Sequence, residues 1–245
     1  MYKGTIRLEA KMTDNCIGFA PFEFKPSMSG VERFQIATEE RTICVSVDVS
    51  SVSTPDDGVR LALAITETAL NRLAFVNQIA IPPAKVTSRE FTSMSAGPGH
   101  VAVLAPAYIT VQGHVVDLVV GLSLANIKAA LEPAALPGEQ NFGSIRSARN
   151  SVGAVEEFMH LYAILLGFFG DKQNDVDAFI VSVDQAVPQT QSPIKAGAME
   201  TIYTRLRNEL AHRRPGVDID STKQQMAARV GDLRGLVKEA IQRYP

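Results

Sequence analysis

The sequence predicts an α+β N-terminal domain over residues 1–132, followed by an all-α four-helix bundle over residues 144–245. Three observations carry that expectation. Through much of residues 1–120 apolar side chains alternate with polar ones, the period of half-buried strands. From residue 145 the apolar spacing changes to threes and fours, the period of a helix face. Between the two lie Pro133, Pro137, Gly138 and Gly143, which interrupt regular structure and mark a boundary.

The strand pattern is clearest in two places. Ile6, Leu8 and Ala10 alternate with Thr5, Arg7 and Glu9, while Ile43, Val45, Val47 and Val49 share one face opposite Cys44, Ser46 and Asp48. Residues 53–57, Ser-Thr-Pro-Asp-Asp, supply a hydroxyl cap, a first-turn proline and two acids at the positive end of a helix dipole. A helix is predicted from there to about Gln78, with Pro82-Pro83 closing the connection. Apolar runs at 101–111 and 115–120 flank Gln112-Gly113-His114 and read as a hairpin, and a short helix is expected around 122–131.

In the second half, Ile145, Ala148, Val152, Val155, Met159, Tyr162, Leu166 and Phe169 step alternately by three and four, which predicts one long seam helix ended by Gly170. Val176, Phe179, Ile180 and Val183 mark a second helix, and residues 188–193 a loop. Met199, Ile202, Tyr203, Leu206 and Leu210 mark a third, stopped by Pro215-Gly216. Ser221-Thr222 cap a fourth that carries Met226, Val230, Leu233, Val237, Ala240 and Tyr244. Short connections make an up-and-down arrangement the economical one.

Composition narrows the function. The chain has 245 residues, 46% hydrophobic and 20% charged, enough for a sizeable core. Its net charge of −2, from 24 basic and 26 acidic residues, excludes a grip on nucleic acid by bulk charge and leaves only a local patch. Two cysteines, Cys16 and Cys44, exclude a disulfide scaffold and a Cys-rich metal site, and both read as small apolar fillers. The N-terminus lacks a signal-peptide core and no apolar run is long enough to cross a bilayer, so a cytoplasmic protein with no membrane partner is expected.

Most candidate chemistry dissolves on inspection. His100, His114, His160 and His212 fall in separate elements with no i,i+4 pairing, so neither a metal nor a cofactor is expected. His100 reads as a loop residue, His114 as a hairpin tip and His160 as a partly exposed structural residue. No GxSxG, Walker or GxGxxG pattern is present. Asp171, Asp175 and Asp177 read as N-terminal capping and dipole compensation.

Residues 204–214 are different, with four arginines, one histidine and one acid. At 100° per residue, Arg205, Asn208 and His212 share a stripe roughly opposite the apolar face, and Arg207 lies about 140° from His212. Bringing Arg207 and His212 together therefore requires either a helix that ends near His212 or a second copy of the chain. The plain structural reading is a solvated last turn whose basic residues complement the negative end of the dipole.

Residues 207–212, RNELAH, match the R-N-x-x-x-H signature of HEPN domains (higher eukaryotes and prokaryotes nucleotide-binding), with "GDKQNDVDAFI" and "YTRLRNELAHRRPG" as wider context. The C-terminal half thus resembles a superfamily of four-helix bundles, many of them metal-independent endoribonucleases. The whole chain is similar to the MauJ-like family named after methylamine utilization, which implies no molecular role. The HEPN resemblance implies that His212 is the general base or acid at the ribose 2′-OH or the 5′ leaving oxygen. Arg207 would stabilise charge on phosphorus, and Asn208 would orient the phosphate or the histidine. Arg205, Arg213 and Arg214 would hold the RNA backbone. It also implies a homodimer with two motifs at one cleft, and a toxin or antiviral-defence setting with an antitoxin or defence-complex partner. The products would be a 2′,3′-cyclic phosphate and a 5′-hydroxyl. One departure stands out: toxins of this kind whose partner is a nucleotidyltransferase carry a tyrosine two residues after the histidine, where this chain has Arg214. The alternative reading is a non-catalytic HEPN-like module that binds nucleotide or RNA, or scaffolds a complex. A third is a metabolic or stress accessory protein whose motif is structural. The N-terminal domain would sense or recruit.

Overall fold

A computed structural model describes residues 1–12, 16–94, 101–104 and 119–245. The chain divides into two compact units, Met1–Leu136 and Pro137–Pro245.

The first unit is a sheet backed by a helix. β1 (Tyr2–Lys11), β3 (Phe22–Phe24), β4 (Val31–Glu39), β5 (Thr42–Val52), β6 (Lys85–Ser93) and β7 (Val101–Leu104) form an antiparallel sheet in the order β3-β4-β5-β1-β6-β7. The alternation sets which face is buried: Ile6, Leu8 and Ala10 of β1 and Ile43, Val45, Val47 and Val49 of β5 are all at most 3% exposed. Helix α1 (Pro55–Asn77) packs against β1 and β5. Its start follows the local code. Thr54 accepts from the Asp57 N–H, Asp57 answers to the Thr54 N–H, and Pro55 opens the first turn. Close approach needs glycine at one point: a Cβ on Gly58 would stand 2.6 Å from the Phe91 ring. Cys44 is half-buried on the outer side of β5, where burial first, and then Glu39 and Glu9, push its thiol up to about 11. That is a filler, not a nucleophile.

Helix α2 (Leu124–Leu131) is capped by Ser123. β8 (Val119–Gly121) pairs in parallel with β2 (Cys16–Gly18), and β7 pairs with β6. The hairpin tip at residues 112–114, with His114 and also His100, lies outside the described residues.

The second unit holds a 3-10 turn (Glu139–Asn141), helices α3 (Phe142–Arg149), α4 (Ala154–Phe168), α5 (Gln173–Val183), α6 (Ile202–His212) and α7 (Ile219–Arg243), and a hairpin of β9 (Gln189–Gln191) with β10 (Met199–Thr201). Phe158, Leu161, Tyr162 and Leu165 of α4 are buried, with Leu206 of α6 and Met226, Leu233 and Val237 of α7. α7 packs against both α4 and α6. The chain as a whole is α+β, with an antiparallel sheet followed by helices.

Four expectations need correction here. The single seam helix is two: residues 150–153 break it, Gly153 adopts φ +92°, and Val152, placed on the seam by spacing, is 91% exposed. The buried face of α4 is Phe158, Leu161, Tyr162 and Leu165, one position off the expected one at most points. The loop over residues 188–193 contains β9, and Met199 belongs to its partner strand, not to α6. The last helix is capped by Asp218, which accepts from the Asp220 and Ser221 N–H groups, and Thr222 lies inside it. The unit thus has five helices and a hairpin where spacing predicts four helices.

Candidate functional site

The C-terminal end of α6 gathers the polar residues that the sequence singles out. α6 is N-capped by Thr201, whose hydroxyl accepts from the Thr204 N–H, and ends at His212, with Arg213 in the left-handed region at φ +45°. Arg207 Nη1 donates to Asn208 Oδ1 at 2.9 Å and lies 3.2 Å from His212 Nε2. Arginine has only donors, so a hydrogen bond across that contact has Nε2 as its acceptor. Arg207 and His212 thus converge within one chain. The helix stops at His212, and the long arginine side chain closes the angular gap that a regular helix leaves. No second copy is needed to join them.

Asn208 is 3% exposed, not on a solvated stripe. Its amide forms a reciprocal pair with Gln173 at the start of α5, with Gln173 Nε2 donating to Asn208 Oδ1 at 2.9 Å and Asn208 Nδ2 donating to Gln173 Oε1 at 3.4 Å. Asn208 Oδ1 therefore receives two donors and is fixed in orientation. His212 is exposed.

The three arginines expected to hold RNA separate. Arg213 is exposed at the helix end. Arg205 donates to Gln225 of α7 at 2.7 Å and pairs with Glu209 at 3.7 Å. Arg214 makes a two-pronged bond to Glu200, 2.8 Å on each arm, with both side chains 9% exposed. A guanidinium so engaged and so covered is a structural tie, so the backbone-holding role does not suit Arg214 and suits Arg205 poorly. Arg214, and after it Ser192, hold the Glu200 carboxyl below its usual range despite burial.

Asp177 corrects the capping assignment. It lies inside α5, 7% exposed, and its Oδ1 accepts from the Thr201 N–H at 3.0 Å, the Thr201 hydroxyl at 2.6 Å and the Thr204 hydroxyl at 2.6 Å. Tyr162 of α4 extends this chain with a 2.7 Å contact to the Thr204 hydroxyl, and burial pushes its own ionisation upward. Burial also raises the Asp177 carboxyl, with the nearby Glu200 charge adding to it. A cavity of about 170 Å³ connects these groups: Gln173, Asp177, Glu200, Asn208, His212 and Arg214 all line it. Spacing singles out neither Gln173 nor Glu200, and it reads Asp177 only as a helix cap. One signal was available, since Gln173 and Asp177 lie one turn apart on α5 and so share a face.

His160 is exposed, with Nδ1 2.8 Å from the Ser151 hydroxyl. Among the described residues no three His, Cys, Asp or Glu side chains are grouped to hold a metal ion, and no helix is long and apolar enough to cross a membrane. Compared with protein-family models, curated proteins and solved structures, the chain shows no match.

Proposed function

We propose that the C-terminal unit is a metal-independent endoribonuclease of the HEPN type, with Arg207, Asn208 and His212 as its catalytic group. The observation that carries this reading is Arg207 Nη1 bridging Asn208 Oδ1 and His212 Nε2 at an exposed helix end, on the R-N-x-x-x-H spacing. In the free site Arg207 occupies the Nε2 lone pair. A phosphodiester oxygen, being anionic, is the better partner for the guanidinium and draws it off. Nε2 then takes the proton of the ribose 2′-OH, the 2′ oxygen attacks phosphorus, and the bond to the 5′ oxygen breaks. That oxygen takes a proton from solvent, giving a 2′,3′-cyclic phosphate and a 5′-hydroxyl. Arg207 stabilises the charge that builds on the phosphoryl oxygens, and Asn208, locked by Gln173, keeps Arg207 in place. Arg213 is the arginine that remains exposed beside the site for backbone contact. A toxin or antiviral-defence role, with an antitoxin or defence-complex partner, is the setting the resemblance implies.

The engagement of Arg205 and Arg214 within the fold favours a second reading, a module that binds RNA or nucleotide without cutting it. Purified protein incubated with mixed RNA in excess EDTA separates the two. Cleavage to 2′,3′-cyclic ends, lost in both His212→Ala and Arg207→Ala, is the expected result; binding without cleavage supports the module. Mixing the two inactive variants tests whether the site is complete in one chain. No regain of activity is expected, and regain would return the site to a dimer interface.

A further inference from the structure

Asp177 has a feature that the cleavage chemistry does not use. All three of its hydrogen bonds fall on Oδ1. Oδ2 carries none, and Asp177 is on the lining of the cavity described above. A carboxylate 93% buried, held by three donors on one oxygen and lining a cavity with no donor on the other, is a built acceptor. The rest of the cavity suits a flat, polar-edged ligand. Ile194 and Met199, 76% and 50% exposed, stand at its rim as apolar surface. The Gln173 and Asn208 amides add donors and acceptors, and His212 is on the same lining. At about 170 Å³ the space is well below the roughly 300–1,000 Å³ of a drug-sized pocket and suits one aromatic heterocycle.

We infer that this cavity is a nucleobase subsite that selects bases carrying an exocyclic amine, with Asp177 Oδ2 as the acceptor for that amine. Acidic side chains read the cytosine amine in the same way elsewhere, and bases taken out of a stack are recognised by edge hydrogen bonds together with apolar faces. A base with an oxo group in place of the amine would set one acceptor against another. The subsite gives the proposed ribonuclease its substrate preference and so rests on that reading for its purpose, but base binding is measurable without cleavage.

The test uses the full chain and matched ligands: cytidine against uridine 3′-monophosphate, and adenosine against inosine 3′-monophosphate, by calorimetry. The amino base of each pair is expected to bind at least about tenfold tighter, because a site built to hydrogen-bond a donor rejects the analogue that lacks it. Asp177→Asn sharpens the test. The amide oxygen can keep the three Thr201 and Thr204 bonds, so its NH2 takes the Oδ2 position and the preference should reverse toward uridine and inosine. Equal binding of both members of each pair by the wild-type protein, or no binding of any, overturns the subsite. A preference that Asp177→Asn leaves unchanged in a folded variant overturns the role of Oδ2. Uncleavable 2′-deoxy hexamers of C and U, run alongside, show whether the base is taken from a chain or from a free nucleotide; either source with the amino preference supports the subsite. Failure of the ribonuclease reading looks different: discrimination without cleavage leaves the subsite and removes the enzyme, while cleavage with no base preference does the reverse.

Discussion

The two units bury different things. Among the described residues of Met1–Leu136 the interior is apolar, built from side chains such as Ile6, Phe34, Ile43, Val47, Leu70 and Leu73, and only Thr66 and Arg72 are buried polar residues. Arg72 is answered by the carbonyls of Pro133 and Ala134 at 2.6 and 3.0 Å. In Pro137–Pro245 ten polar or charged residues are buried, among them Glu157, Asp177, Glu200, Thr204, Asn208 and Glu209. Each of these six has partners: Arg149 and Arg234 on Glu157, two threonines on Asp177, Arg214 on Glu200, Tyr162 and Asp177 on Thr204, Gln173 on Asn208, Thr222 on Glu209. An apolar core needs the right volume, whereas a polar interior needs every partner in place. In return it fixes directions, and the cavity beside His212 is walled by groups of this kind.

The largest expected effect is on activity. His212→Ala should lower the rate of RNA cleavage by about 10²–10⁴-fold, the range for a lost proton-transfer group, and Arg207→Ala by about 10²–10³-fold, the range for a lost donor to developing charge. His212 is exposed, so its loss should leave the thermal midpoint within the small range of ordinary surface changes. If instead either variant cuts RNA at the wild-type rate, the polar cluster at the end of α6 is structural.

Stability separates the units next. Burial opposes ionisation of Glu157, yet Arg234 and Arg149 together hold its carboxyl below the ordinary 4.5. An acid whose folded value is depressed adds stability in full above its unfolded value and loses it as pH falls through the folded one. Glu157→Gln should therefore cost about 3–5 kcal/mol at pH 7, the cost of breaking a buried pair from one side. That cost should shrink below pH 4.5. Leu70→Ala in the first unit should cost about 2–5 kcal/mol from the cavity it leaves. Its cost should not change over the same pH range, since no charge is involved. Urea titrations at pH 7 and pH 3.5 check both. A pH-independent Glu157→Gln would mean that the ion triad is not the tie it resembles.

Legibility from sequence follows the same division. β1, β5 and α1 were readable because alternation and the Thr54-Pro55-Asp56-Asp57 start are local signals, and the apolar face they define is the one buried. The end of α6 was readable because RNELAH stands together in the chain. The cavity was not. Asp177 meets Thr201 and Thr204 across 24 and 27 residues, and no spacing rule joins them. The break at Gly153 was hidden for a different reason: three-and-four stepping runs straight through Val152, and periodicity cannot tell a seam position from an exposed valine in a connection. Asn208 was assigned to solvent because a helical wheel knows only its own helix, and Gln173 of α5 covers it.

The smallest effect makes the cleanest comparison, because it uses the same residue in the same role. Thr54 caps α1 and Thr201 caps α6, each accepting from the N–H three residues on. Thr54 is exposed, and its loss should cost about 1 kcal/mol, the usual value of an N-cap. Water can replace its contacts. Thr201 is fully buried, and its hydroxyl also donates to Asp177 Oδ1 at 2.6 Å. Thr201→Ala removes the cap and one of the three donors that hold a buried carboxylate, a loss worth about 1–3 kcal/mol in itself. The two costs should add, so Thr201→Ala should destabilise by roughly twice as much as Thr54→Ala or more. It should also loosen Asp177, so the preference for cytidine over uridine 3′-monophosphate should fall in Thr201→Ala and stay unchanged in Thr54→Ala. Thermal denaturation and the same calorimetric pairs measure both quantities. Equal destabilisation by the two substitutions would mean that the polar interior of the second unit adds no more to this cap than solvent adds to the first.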